Sequence, residues 1–356
     1  MLKFIFFRKN GKPRSWLQSL LFGGDYRLRK FFYFFKIDDL KLFRAYFQPW
    51  YDGVLNNPYP LSDWVSARAA FIEGFDFSKT RSIVIISPEA TYFVACYLKS
   101  LLETNPSVVV SISKQSPPDF DADLYFVICP QVFSVLPPPK KRIAVQMEQT
   151  VSQRWFTREY LGGLYNSLAV IEYSKVNIEY LSSLRFPMAN LVHVPIRPIE
   201  SPIYKSHVGR SKAYDVVFYG DDKVKRRQGF LNAIAQRFKL KVVNGLYGED
   251  LWPILSSAKV VVNIHYYENA LLETTRISEC LSLGLRVVSE EGSDQGHYAG
   301  EFHGVMFTPI NDVTAMIEAI QNQLDDTEPV SLRGRTPTSH NPLINGLSNI
   351  GIHLPS

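Results

Sequence analysis

Residues 260–290 read VVVNIHYYENALLETTRISECLSLGLRVVSE, and this stretch is the most informative part of the chain for predicting its architecture. An apolar strand leads into a polar loop that contains Asn263, His265 and Tyr266. A charged helix, a glycine and a second apolar strand follow. Parallel β-α-β units of this kind bind ligands at the carboxyl ends of their strands. The stretch therefore predicts a nucleotide or sugar site on a β-α-β unit.

The helix of this unit has charged side chains on one face. Glu273, Arg276 and Glu279 follow one another at intervals of three residues, a spacing that places side chains side by side on a helix. Two acids beside one arginine at the carboxyl edge of a sheet favour a ligand site. A ladder of surface ion pairs is the alternative reading of the same spacing.

A second candidate segment lies upstream at residues 218–227, FYGDDKVKRR. Gly220 ends a predicted strand, where glycine permits a ligand to approach the backbone closely. The cations that follow it are Lys223, Lys225, Arg226 and Arg227. Together with the free N–H groups of the next helix, they would neutralise a diphosphate. A solvated, basic helix start is the alternative.

Alternating strands and helices occupy most of the chain. Strands are predicted at 82–87, 107–113, 123–130, 142–148, 167–174 and 190–195, then at 214–220, 240–243, 259–265, 285–290 and 304–307. Most of the segments between these strands have apolar residues at helical spacing, including 224–237, 272–283 and 311–324. Such alternation predicts the α/β class, with parallel sheets covered by helices on both faces.

The length of 356 residues and the hydrophobic content of 46% suffice for two domains, each with its own core. The predicted divisions are a basic and aromatic N-terminal arm (1–70), a Rossmann-like domain (71–200), a linker (201–213), a second Rossmann-like domain (214–325) and a loose tail (326–356). The tail is expected to be loose because its sequence has no sustained periodicity.

The formal net charge is +5, and much of the excess lies in residues 1–50, where cations alternate with aromatic side chains. This mixture suits the interface of an anionic membrane, and an arm packed on its own protein is the alternative. No stretch reaches the roughly 20 apolar residues that a membrane span needs. Three widely separated cysteines indicate a reducing compartment. We therefore expect a cytoplasmic protein that is peripheral at the inner face of the membrane.

Several well-known signatures are missing from the sequence. The two strand-to-helix turns lack GxGxxG, and no GxxxxGK[ST], GxSxG or HExxH motif occurs. No RNP, KH or helix-turn-helix pattern indicates a nucleic acid partner. Cysteine and histidine spacings do not suit zinc. These absences disfavour dinucleotide-dependent dehydrogenases, P-loop enzymes, serine hydrolases and zinc enzymes, and they leave no predicted metal site.

The segment LLETTRISECLSLGLRVVSE, residues 271–290, resembles the donor-binding segment of GT-B glycosyltransferases, in particular family 4 and the CgeB-like group. The resemblance implies that Glu279, five residues before Gly284, binds the ribose hydroxyls of a nucleotide sugar, with Arg276 beside it. Similarly, FYGDDKVKRR resembles the segment that holds the donor diphosphate, which implies roles for Gly220, Arg226 and Arg227.

The resemblance implies a GT-B fold, with two Rossmann-like domains facing across a cleft and the donor in the C-terminal one. It also implies donor contacts by His265 and Tyr266. Family 4 enzymes have an E-x7-E motif, and this chain has Leu271 at the position of the first acid. Glu273 or Glu268 would have to replace it, so whether the anomeric configuration is retained stays open.

An inverting reaction would need a general base from the first domain. Glu148, at the end of the predicted strand RIAVQME, is our candidate because it follows a strand's carboxyl end. Capping of the helix near Ser152, or an ion pair with Arg154, is the alternative. The expected reaction needs no cofactor beyond the nucleotide sugar and no metal, since cations and a helix N-terminus would stabilise the departing diphosphate.

The acceptor implied is a glycan or a lipid-linked saccharide in cell-surface polysaccharide synthesis, because the arm suits a membrane surface. Two other functions fit the sequence. One is a nonenzymatic nucleotide-binding or scaffold protein with a degenerate GT-B fold, and the other is a GT-B-like sugar-nucleotide epimerase.

Overall fold

The computed structural model describes residues 75–150, 156, 158–165, 167–183, 190–207, 211–326 and 341–355. The arm predicted at 1–70 therefore lies outside the described residues. The strands are β1 (Ser82–Ile86), β2 (Val109–Ser113), β3 (Leu124–Ile128), β4 (Arg142–Gln146), β5 (Ala169–Glu172), β6 (Leu191–His193), β7 (Tyr214–Tyr219), β8 (Leu240–Val243), β9 (Ala258–Asn263), β10 (Arg286–Glu290) and β11 (Val305–Thr308).

The helices fall mostly where the sequence predicts them. They are α1 (Tyr92–Leu102), α2 (Arg158–Tyr165), α3 (Lys175–Ser183), α4 (Pro202–Lys205), α5 (Lys225–Ala235), α6 (Gly248–Ser256), α7 (Thr274–Ser282), α8 (Val313–Asp325) and α9 (Pro342–Asn349). The chain divides into two compact units: the described parts of 75–88, 101–194 and 342–355 form the first, and those of 89–100 and 195–341 form the second.

The first unit contains a six-stranded sheet in the order β2-β1-β3-β4-β5-β6, with every neighbouring pair parallel. Its middle strands β3, β4 and β5 are buried at every residue. Continuous burial is expected of parallel strands that are covered on both faces, and it explains why these segments read as unbroken apolar runs.

The tail prediction needs correction. Residues 342–349 form helix α9, and Leu343, Leu347 and Ile352 are fully buried. Gly346 lies so close to β6 that an added Cβ would stand 2.2 Å from Val192 Cγ1. The apolar residues are spaced for a helix, but the segment has only two turns among Asn, Gly and Ser, so periodicity alone does not reveal it.

The second unit contains a five-stranded sheet in the order β11-β10-β9-β7-β8, again with every neighbouring pair parallel. Val216, Phe218, Val260 and Val262 form a core with residues of α5 and α8 on one face of the sheet. The predicted α/β class with two parallel sheets is thus confirmed. The chain runs from β7 outward to β8 and then returns to β9 on the other side of β7.

Two segments that the sequence assigns to other parts of the chain belong to the second unit. Residues 89–100, predicted as part of the first domain, cluster with the second unit. In this segment, the ring of Tyr92 packs against the ring of Trp252, with 5.9 Å between the ring centroids. Tyr204, in the predicted linker 201–213, is fully buried and meets Trp252 edge to face at 4.7 Å. Within the described ranges, no helix combines the length and apolar character needed to cross a membrane.

Candidate functional site

The strand order of the second unit reverses between β7 and β9, which are neighbours in the sheet. Ligands of open parallel sheets bind outside the carboxyl ends of the strands at such a reversal. Gly220 follows β7 directly, and Ile264 and His265 follow β9. The two candidate segments of the sequence therefore meet at the place where a ligand is expected.

Gly220 stands beside two guanidinium groups. Its φ is +128°, a conformation that residues other than glycine rarely adopt. A Cβ added there would lie 3.2 Å from Nη2 of Arg276 and 3.5 Å from Nη1 of Arg227. Arginine forks match the oxygens of phosphate, and the missing side chain lets both guanidinium groups lie close to the Gly220 backbone. Such a position suits a negatively charged ligand.

Arg227 is held mainly by backbone oxygens. Its Nε donates to Ile264 O at 2.9 Å and its Nη1 to Asp221 O at 3.0 Å. The guanidinium also lies over the rings of Phe218 and Tyr266, with its Cζ atom 5.3 Å from the centroid of each ring. Burial lowers the pKa of Arg227 to about 10, and the nearby Glu273 opposes that shift. The group is therefore cationic at neutral pH.

Arg276 reaches the same place from helix α7. Its Nη1 donates to Tyr219 O at 2.6 Å, and its guanidinium lies over the Tyr219 ring at 4.5 Å. Burial would lower the pKa of Arg276, but the carboxylate of Glu273 raises it above the usual value. Arg227 and Arg276 are thus fixed cations that both lie beside Gly220, near the position a Cβ would take.

Glu273 binds these cations. Its Oε2 lies 2.9 Å from Nε of Arg276, and its Oε1 lies 3.7 Å from Nη2 of Arg227 and 3.5 Å from Nδ1 of His265. Burial acts to raise the pKa of Glu273, but the surrounding cations lower it to about 2. A carboxylate of that pKa is a poor proton acceptor at neutral pH. Glu273 contacts two arginines, which together exceed its charge by one, and its catalytic role remains a prediction.

Arg226 does not join Arg227 and Arg276. Its guanidinium forms an ion pair with the carboxylate of Glu290, and Nη1 lies 2.8 Å from Oε2. The same Nη1 also donates to the carbonyl oxygen of His265 at 2.7 Å. Successive helical residues point about 100° apart, so the two adjacent arginines of α5 face different partners. The structure thus places Arg227 and Arg276 beside Gly220, and it pairs Arg226 with Glu290.

Both carboxylate oxygens of Glu279 accept hydrogen bonds from other side chains of the second unit. Its Oε1 accepts from Nε1 of Trp252 at 2.8 Å, and its Oε2 accepts from the hydroxyl of Tyr219 at 3.1 Å. The residue is 8% exposed, and burial raises the pKa of its carboxyl. Tyr219 connects it to Arg276, whose guanidinium lies on the ring of that tyrosine. The predicted ribose contact remains a prediction.

The loop after β9 gives the other predicted contacts different surroundings. Tyr266 is 38% exposed and lies under the guanidinium of Arg227, while the ring of His265 is fully buried against Glu273. Glu268 is exposed. In the described part of the chain, no hydrogen bond or ion pair joins it to the residues around Gly220. Leu271, at the position of the family's first acid, is buried in the core.

Glu148 of the first unit follows β4 and is partly buried. Its Oε1 accepts from Nε2 of Gln131 at 2.6 Å, and its main chain is held by Gln146 and Asn177. Ser152 and Arg154, the partners of the alternative reading, lie outside the described residues.

Sequence reasoning missed two buried acids. Glu172 ends β5 and accepts from Gln146, Asn177 and the Ser174 amide, and Glu290 ends β10. Both carboxylates stand at the last residue of a mostly buried strand. A charged residue in that position needs partners, and this was the signal available in the sequence.

Comparisons with known proteins give distant similarities. No family model matches the chain. The uncharacterized protein L137 of Acanthamoeba polyphaga mimivirus is 25% identical over 199 residues, which are 53% of this chain and 26% of that protein. The chain thus covers about a quarter of the length of this curated relative.

Three solved structures are similar to this chain at low sequence identity. Sucrose-phosphate synthase from Thermosynechococcus elongatus gives a TM-score of 0.43 at 14% identity, over 76% of this chain and 96% of that chain. Anabaena HepE in complex with UDP and glucose gives 0.43 at 12% identity, over 76% and 95%. An alpha-glucosyltransferase in complex with UDP and a 13-mer DNA gives 0.44 at 9% identity, over 78% and 96%.

Proposed function

We propose that the protein is a glycosyltransferase of the GT-B type that transfers a sugar, in our reading a hexose, from a nucleotide sugar to an acceptor hydroxyl. The observation that carries the proposal is that the guanidinium groups of Arg227 and Arg276 both lie beside Gly220 at the strand-order reversal of the second sheet. The two cations outweigh Glu273 by one charge, which favours a negatively charged ligand such as a diphosphate.

The chemistry follows from where the charge develops. The acceptor hydroxyl attacks the anomeric carbon, the bond from that carbon to the diphosphate oxygen breaks, and negative charge accumulates on the departing nucleoside diphosphate. Arg227 and Arg276 are already oriented by backbone oxygens and by Glu273, so they need no rearrangement to stabilise that charge. Two fixed cations make a divalent metal unnecessary in this proposal.

Glu148 remains our proposed general base for the acceptor hydroxyl. It follows the carboxyl end of a parallel strand and keeps partial exposure, and the hydrogen bond from Gln131 orients its carboxylate. Glu273 is better suited to positioning, because its pKa of about 2 makes it a weak base. Glu148→Gln should lower the transfer rate by about a hundredfold or more while leaving donor affinity unchanged.

The acceptor is proposed from the composition of residues 1–50. A basic and aromatic arm suits an anionic membrane surface, so we propose a glycan or lipid-linked acceptor and a role in cell-surface polysaccharide synthesis at the inner face of the membrane. Flotation with anionic vesicles would compare the full chain with a chain that starts at Asp63. Equal partition of both proteins would contradict the membrane proposal.

Binding and turnover test the central proposal. A panel of nucleotide sugars is screened by thermal unfolding, where a ligand at 100 times its dissociation constant adds about 2.7 kcal/mol to the folded state. Release of nucleoside diphosphate is then measured with and without candidate acceptors. Arg276→Met should reduce turnover by on the order of a hundredfold.

The matched control is Arg286→Met, which removes an arginine of the same unit that pairs with Asp326 at 3.0 Å. It should leave turnover unchanged. Interconversion of the donor without an acceptor would instead identify an epimerase, and binding without any turnover would identify a nonenzymatic protein. Absence of binding across the panel would refute a nucleotide-sugar site altogether.

A further inference from the structure

Glu290 connects three segments at the carboxyl edge of the second sheet. It is the last residue of β10 and is completely buried. Its Oε2 accepts from the amide of His265 at 2.9 Å, and its Oε1 accepts from the amide of Asn311 at 2.9 Å. Both oxygens also receive the fork of Arg226. One carboxylate thus holds the loop after β9, the turn before α8 and the first turn of α5.

Arg226 completes this connection. The same Nη1 that binds Glu290 donates to the carbonyl of His265 at 2.7 Å, so the amide and the carbonyl of His265 are both held by the ion pair. Its neighbour Arg227 holds the preceding carbonyl, Ile264 O. Two successive arginines of α5 therefore hold two successive carbonyls of the chain that leaves β9.

The connection fixes the position of the anion site. Arg227 stands beside Gly220, and the ring of His265 lies against Glu273, which in turn holds Arg276. A shift of the 264–266 backbone would move Arg227 and His265 together. Arg226 is itself neutralised by Glu290, so its charge serves this connection and is not offered to a ligand.

We infer that Glu290, acting through Arg226 and the main chain of His265, is a positioning residue for the diphosphate-binding arginines. This inference rests on the proposed nucleotide-sugar site and adds to it a residue that touches neither donor nor acceptor. It also reverses the role expected of Arg226, which becomes a support for the loop instead of a phosphate ligand.

The test is a double-mutant cycle with inorganic pyrophosphate as the probe, measured by calorimetry on the full chain. Glu290→Gln and Arg226→Met should each weaken pyrophosphate binding by about tenfold, the value of one charge-assisted hydrogen bond. The double variant should bind no more weakly than the weaker single variant, because both changes break one connection. This non-additivity is a readout that independent losses of stability would not produce.

A direct role for Arg226 gives the opposite pattern. Glu290→Gln would then free a cation and leave binding unchanged or tighter, while Arg226→Met alone would weaken it. That result, or additive losses in the double variant, would overturn the inference. Asp326→Asn is the control, since it breaks the ion pair with Arg286 at the other end of β10 and should leave pyrophosphate affinity unchanged.

Two further outcomes are distinguishable. If the wild-type protein binds neither pyrophosphate nor any nucleotide sugar, the proposed function itself fails. If the wild type binds and both variants bind equally well, only the positioning role fails. Should Glu290→Gln not fold, Arg226→Lys keeps the cation but loses the fork, and a several-fold weaker affinity is then expected. Unchanged affinity in that variant would contradict the role assigned to the pair.

Discussion

The indole of Trp252 donates to the carboxylate of Glu279 at 2.8 Å, and both side chains are buried. This bond joins α6 to α7 and satisfies one oxygen of an acid that burial makes reluctant to ionise. The residue for which the resemblance implies a ribose contact is therefore also part of the interior of the second unit.

Trp252→Phe should destabilise the protein by roughly 2–4 kcal/mol, because a hydrogen bond to a buried acid is lost and the smaller ring leaves space. Loss of the indole N–H should also raise the pKa of Glu279 further. Because a raised carboxyl pKa costs stability as pH increases, the deficit should be larger at pH 8 than at pH 5. Urea unfolding at the two pH values measures this, and an equal deficit at both would show that Glu279 does not change its protonation between them.

Gly220→Ala tests the close approach beside the two arginines. The φ of +128° would strain alanine by about 1–3 kcal/mol, and the new methyl group would press on the Arg276 guanidinium. We expect lower stability and a loss of pyrophosphate affinity measured by calorimetry. Gly229→Ala is the control, since that position lies on α5 with no atom within 4 Å of an added Cβ, and it should leave binding intact.

Gly292→Ala tests the packing of the loop after β10. An added Cβ would lie 2.4 Å from the backbone nitrogen of Leu272, and backbone cannot yield as a flexible side chain can. A destabilisation of about 1–3 kcal/mol is expected in chemical unfolding. Gly296→Ala is the control, because an added Cβ at that position would have nothing within 4 Å. It should change stability by no more than about 0.5 kcal/mol. Equal effects of the two substitutions would argue against the close contact with Leu272.

The buried Glu172 predicts a pH dependence of stability in the first unit. Burial raises the pKa of Glu172 from 4.5 to about 8. Between these values the folded state binds more protons than the unfolded state, so stability falls as pH rises through this window, by at most about 1.4 kcal/mol per pH unit. Glu172→Gln should remove that slope in unfolding titrations between pH 5 and 8. An unchanged slope would assign the titration to other groups.

Much of the architecture was predictable because it depends on local patterns. Unbroken apolar runs predict parallel strands covered on both faces, and the run at Leu124–Ile128 is indeed buried at every residue. The meeting of the two candidate segments, 218–227 and 260–290, was also foreseeable in outline, since parallel strands bring their carboxyl ends to one edge. Helix α9 was missed because its two short turns contain Asn, Gly and Ser.

The two alternating α/β series and the candidate segments at strand ends could be predicted, because they follow from residue spacing along the chain. The partner of each charged side chain, in contrast, depends on contacts that form in the folded protein. Arg226 and Arg227 are neighbours in sequence, yet one meets Glu290 and the other stands beside Gly220. The physical reason is that helix rotation separates adjacent side chains by about 100°. Strand pairing brings Ile264, His265 and Glu290 to these arginines, and a local pattern does not encode that pairing.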